Sequence, residues 1–79
     1  MEIVFSSHAE KRMKERQISK KEVKETILNP DRCGKQDFKN FAMKTRKNGQ
    51  LLITYYIDKQ EVIHVITVIS TSKIFKYLK

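Results

Sequence analysis

Few residues in this chain can do chemistry, which makes their spacing informative. Two histidines and one cysteine stand among 17 Lys+Arg and 9 Asp+Glu. His8, Arg12 and Arg16 recur at every fourth position, so on a helix they form one column rising about 6 Å per step. Ala9 and Met13 mark the inward direction of that helix, which places the column along the border of its buried stripe. Guanidinium forks suit phosphate oxygens. A histidine in the first helical turn is biased towards its neutral form and can accept a proton from a ribose 2′-hydroxyl, the base step of RNA cleavage. Plainer readings stand beside these. His8 also suits a residue that caps or packs the helix start. Arg16 also suits bonding to the last carbonyls of its own helix, or pairing with a carboxylate.

Lys44 and Arg46 are expected to project from the sheet border towards Arg12 and Arg16, forming a cationic seam. With Lys11 and Lys73 they are the candidates for tracking an RNA backbone. His64, between Ile63 and Val65, reads as a core histidine bonded to Tyr55, and this pair is a secondary candidate. Two histidines and one cysteine at no ligand spacing imply no metal site. No Gly-rich phosphate loop, Ser-His-Asp set or paired carboxylates appears, so no cofactor is expected. Cys33, beside Gly34 and without a motif around it, reads as inert.

The elements that must position these groups are organised around Leu51 to Ser70. There two β-branched and aromatic runs flank the polar Asp58-Lys59-Gln60-Glu61, the pattern of a β-hairpin. Glu2 to Phe5 is a short apolar lead-in ending at Ser6-Ser7, either of which can cap a helix. A first helix is expected from about His8 to Gln17. Ser19 opens a second, Glu22 completes a capping box, and Pro30 stops it near Leu28-Asn29. Asp31 to Asp37 reads as a polar connection and Phe38 to Arg46 as a strand. Asn48-Gly49 reads as a two-residue hairpin turn. The chain from Lys73 onward suits a short helix or a last strand.

A two-residue loop at Asn48-Gly49 makes Arg46 face Leu51, Lys44 face Ile53 and Ala42 face Tyr55. One sheet face then carries Leu51, Ile53, Tyr55, Ile57, Val62, His64, Ile66 and Val68. Being the more aliphatic, it is expected to lie under the helices. The other, with Met43, Tyr56 and Ile63, is too apolar to be left wet and is a surface for a homodimer, a partner or the C-terminal segment.

At 79 residues the chain holds one domain, residues 1–79. The net charge of +8 favours a polyanionic partner, RNA or an acidic protein. A lone cysteine, and no basic-plus-apolar leader at the N-terminus, fit a cytoplasmic protein. No run is long and apolar enough to span a membrane.

The run His8-Ala9-Glu10-Lys11-Arg12-Met13-Lys14-Glu15-Arg16-Gln17-Ile18-Ser19, followed by a Val-x-x-x-Ile-Leu helix and Asn-Pro, resembles a small family of bacterial and archaeal domains. Val65-Ile66-Thr67-Val68-Ile69 matches its last strand. That family is similar to BrnT and, more distantly, to the RelE/ParE toxin superfamily. The resemblance implies an α+β domain, two N-terminal helices packed on a three- to four-stranded antiparallel sheet. It implies a toxin-like endoribonuclease of a type II toxin-antitoxin pair, cleaving mRNA without a metal, often on the ribosome, and neutralised by a cognate acidic antitoxin. The family's His, Arg and Arg carry over to His8, Arg12 and Arg16. Where BrnT-like toxins place an Arg after the last strand, this chain has Ser70-Thr71-Ser72-Lys73, leaving Lys73 as a weaker substitute. The rival reading is a non-catalytic basic module that binds RNA or an acidic partner.

Overall fold

The computed structural model describes residues 2–73. The elements in order are β1 (Glu2–Phe5), α1 (Ser7–Glu15), α2 (Lys20–Leu28), β2 (Arg32–Gln36), β3 (Lys39–Thr45), β4 (Leu51–Lys59) and β5 (Val62–Thr71). They form two helices on one mixed five-stranded sheet of order β1-β5-β4-β3-β2. The expectation of three or four purely antiparallel strands is therefore corrected. The lead-in Glu2–Phe5 pairs parallel with β5, and the expected polar connection supplies an edge strand, β2, antiparallel to β3. The expected C-terminal helix or strand beyond Lys73 lies outside the described residues.

Both helix starts follow from serines. The Ser6 hydroxyl accepts from the Ala9 N–H at 3.0 Å and donates to the Ile66 carbonyl at 2.7 Å, so it caps α1 and ties it to β5. Ser19 accepts from the Glu22 N–H at 3.0 Å. Helix α1 ends at Glu15 with Arg16 as its cap; Gln17, just beyond, takes φ 55°, and the Ile18 N–H reaches back to the Met13 carbonyl at 2.8 Å. This is a Schellman close with its hydrophobic contact, since Met13 and Ile18 share the core cluster.

The β3–β4 connection departs from expectation by one residue, with large consequences. The Gly49 N–H bonds the Arg46 carbonyl, Gly49 takes φ 85°, and the Arg46 N–H bonds the Gln50 carbonyl at 2.7 Å. That is a three-residue loop, a β-turn followed by a left-handed residue, rather than a two-residue one. Thr45 consequently faces Leu51, Lys44 faces Leu52 and Met43 faces Ile53. A slip of one residue exchanges sheet faces.

The helices cover Leu52, Ile63, Val65 and Val68, with Tyr56 packed against them, and not the Leu51 and Ile53 face expected to lie under them. Leu51, Ile53 and Met43 form a second cluster with Phe41, Tyr55 and Ile69. Val68 joins the helix side because β5 carries a bulge. Tyr55 faces Thr67 and Tyr56 faces Val65, which leaves Ile66 as the extra residue. The turn joining β4 to β5 is Gln60-Glu61, both at positive φ, with Lys59 opposite Val62. Met43 thus lies on the opposite face from Tyr56 and Ile63, and the three do not form the single self-association surface expected of them.

Candidate functional site

Helix α1 buries Ala9 and Met13 and leaves His8, Lys11, Arg12 and Arg16 exposed. Its two flanks differ. Glu10 sits 4.0 Å from the Lys20 ammonium, so that flank looks towards the start of α2. This pair is more than half exposed on both sides and contributes little stability. By helical periodicity His8, Lys11 and Arg12 lie on the other flank, where Glu15 stands one turn beyond Lys11 and Arg12. Arg16 is the C-terminal cap, with φ −104°. Having left helical geometry, its side chain goes to solvent rather than to the semi-buried place that periodicity assigned it. The column is a solvent-facing basic strip.

Lys44 is held at the end of α2, and Arg46 lies between α2 and the chain just after α1. The Lys44 ammonium donates to the Asn29 carbonyl at 2.8 Å, at the C-terminal end of α2 where a cation is favoured. Arg46 is more fully enclosed. Its Nε donates to Glu22 Oε2 at 2.6 Å, its Nη1 to Ser70 Oγ at 2.8 Å and its Nη2 to the Gln17 carbonyl at 3.2 Å. The Ser70 hydroxyl in turn donates to Gln50 Oε1 at 2.6 Å. Glu22 therefore completes only half of the expected capping box, because its carboxylate goes to Arg46. A cleft of about 510 Å³ adjoins this node between α2 and the β3–β4 loop, lined by Lys21, Lys47, Glu22 and Glu25 among others. Its charges are mixed in sign.

The secondary candidates lie on the far face. His64 is exposed and stands opposite Ile57, not Tyr55, so the expected core histidine is corrected. The two-residue shift of the β4–β5 turn moved its partner. Tyr55 is half-buried, with the Lys39 ammonium 5.1 Å from its ring centre. Lys73 is exposed just beyond β5, its N–H donating to Thr71 Oγ1 at 3.0 Å. Tyr56, under the helices, has its phenol pushed above the ordinary 10.0 by burial first, then by Cys33 and Asp58.

The structure thus brings together His8, Lys11, Arg12 and Arg16, and separates them from His64 and Tyr55. Lys44 and Arg46 serve α2. Sequence reasoning missed the Glu22–Arg46–Ser70–Gln50 chain. Its one signal was an acid in the first turn of α2 and an arginine at a strand end, with nothing to join them. Among the described residues no group of three His, Cys, Asp or Glu side chains is placed to hold a metal ion. No helix among them is long and apolar enough to cross a membrane.

Fold and site together define a small basic α+β domain with one cationic helix face. The chain matches the domain of unknown function family DUF4258 over residues 5–79, and it belongs to that family. No curated protein and no solved structure matches it.

Proposed function

We propose that this domain engages RNA through His8, Lys11, Arg12 and Arg16 and cleaves it as a toxin-like endoribonuclease, resembling the BrnT and RelE/ParE toxins. The observation that carries this reading is the strip itself. Three groups suited to phosphate and ribose, His8, Lys11 and Arg12, are exposed on the nine-residue helix and Arg16 follows at its cap, with a step of about 6 Å from His8 to Arg12. In the reaction the substrate's 2′-oxygen bonds to phosphorus and the bond to the 5′-oxygen breaks. His8 takes the 2′-proton, Arg12 and Arg16 stabilise the charge developing on the phosphoryl oxygens, and water protonates the departing 5′-oxygen. The products are a 2′,3′-cyclic phosphate and a 5′-hydroxyl. Lys73 extends the contact if the RNA runs past the end of β5.

One observation favours a second reading. The described clefts lie beneath α2 and on the Glu10 flank, so the strip is open and suits binding without scission. End analysis of single-stranded RNA incubated with the protein separates the two. The cleavage reading predicts cyclic-phosphate ends, with His8→Ala slowing the reaction at least about 100-fold while binding persists. Binding by the wild type without any new ends leaves the non-catalytic module.

A further inference from the structure

We infer that the sheet face turned away from the helices is the docking site of this chain's own C-terminal segment, residues 74–79, seated over Leu51, Ile53 and Met43. The inference is independent of the RNA reading, because it uses no residue of α1.

The starting observation is burial without a described cover. Ile53 is 0% exposed, Leu51 1% and Met43 6%. They form a cluster of their own, apart from the one that holds Ala9 and Met13 of α1 and Val23 and Ile27 of α2. Both described helices therefore pack on the opposite face. A sheet face with water against it leaves part of each side chain open, because neighbours on the pleat shield only its flanks. Complete burial of an isoleucine in a central strand calls for a further layer. The burial holds within a single chain, with no second copy present, so the layer belongs to the same molecule.

The position of the burial says which segment supplies it. Met43, Ile53 and Ile69 form one row across β3, β4 and β5, and Leu51 and Thr71 stand in the next. Strand β5 ends at Thr71, so residues 74–79 start beside these two rows. Further along the same face the cover thins: Phe41, Tyr55 and Ile57 are half-buried and His64 is exposed. Residues 74–79 reach at most about 20 Å, which is two or three rows of about 7 Å each. That reach matches the gradient. Met1, also outside the described residues, adjoins Glu2, which stands opposite Val62 at the other end of β5.

The segment has the composition for the task. Ile74, Phe75, Tyr77 and Leu78 are interrupted and followed by Lys76 and Lys79. At helical spacing the four share one side and the two lysines the other. Docking closes the face with the apolar side, turns the charges to water and shuts the face to a homodimer.

The chain contains no tryptophan, so Phe75→Trp places a single reporter in the full-length protein. Expected are emission to the blue of the urea-unfolded protein and acrylamide quenching several-fold slower than for free tryptophan amide. In isotope-labelled wild type, nuclear Overhauser contacts should join Leu78 to the Ile53 methyls. In a mixture of labelled and unlabelled chains, none should cross between molecules. Ile74→Ser/Leu78→Ser in the full chain should raise the unfolding constant at least about tenfold and increase binding of a hydrophobic dye. Quenching as fast as that of free tryptophan amide, contacts from Leu78 to Val23 instead of Ile53, or an unchanged unfolding constant overturns the inference. So do contacts that appear only between molecules, which would make a second copy the occupant.

Discussion

Replacing Arg46 by alanine probes the strongest polar contact in the described structure. The guanidinium makes four hydrogen bonds, two to Glu22 and one each to Ser70 and the Gln17 carbonyl. Its side chain is only 10% exposed, that of Glu22 30%. Removing one partner of a fully buried pair costs roughly 3–5 kcal/mol, because the other charge is stranded. Glu22 is open enough to regain part of its hydration, so the loss here is about 2 kcal/mol. A domain of this length has roughly 4–12 kcal/mol in total, and the melting temperature should fall by about 8–16 °C. The assay is urea unfolding of wild type, Arg46→Ala, Glu22→Ala and the double variant. The cycle should return a coupling of about 1–2 kcal/mol, the double variant being little worse than either single one. Additive losses, or a cost below about 0.5 kcal/mol for Arg46→Ala, would refute the claim that this node holds α2 on the sheet. Arg46 would then be free for RNA, as the sequence first suggested.

The remaining predictions are narrower. Ser6→Ala removes both the cap of α1 and its bond to the Ile66 carbonyl, and should cost about 1–2 kcal/mol in the same urea assay. The Tyr56 phenol should titrate above the ordinary tyrosine value when followed by ultraviolet absorbance. Its stabilising contribution is complete below the unfolded value of 10.0 and is lost as pH rises through the folded one, so alkaline unfolding should be softened in Tyr56→Phe.

The helices were legible because their signals are local. Ser19, Glu22 and Pro30 fix α2 from its two ends, and either Ser6 or Ser7 could have been the cap that Ser6 is. The β4 and β5 strands were equally plain in their β-branched runs. What escaped was non-local or decided by a single residue. Arg-Cys-Gly-Lys-Gln has no alternation to declare a strand, and β2 exists only because β3 lies beside it. Glu2–Phe5 pairs with Val62–Val65, sixty residues away, and nothing in either stretch announces a parallel partner. The face assignment failed because aliphatic content does not decide which face of β4 the helices cover: Leu52, Val65 and Val68 lie under them, while the Leu51 and Ile53 face, with His64, is the other. Nothing local fixes the three-residue loop that set Lys44 opposite Leu52, or marks Ile66 as a bulge. His8 and Arg12 share α1 because that needs only helical periodicity, whereas Arg16 falls at its cap.

The central claim is that the α1 strip grips RNA phosphates, and the salt dependence of binding tests it most directly. With Lys11, Arg12 and Arg16 each neutralising one phosphate of a single strand, the slope of log K against log[salt] should be about −2, and Arg12→Ala/Arg16→Ala should bring it to about −0.7. An unchanged slope in that variant, with its fold intact by circular dichroism, would place the RNA contact elsewhere on the molecule.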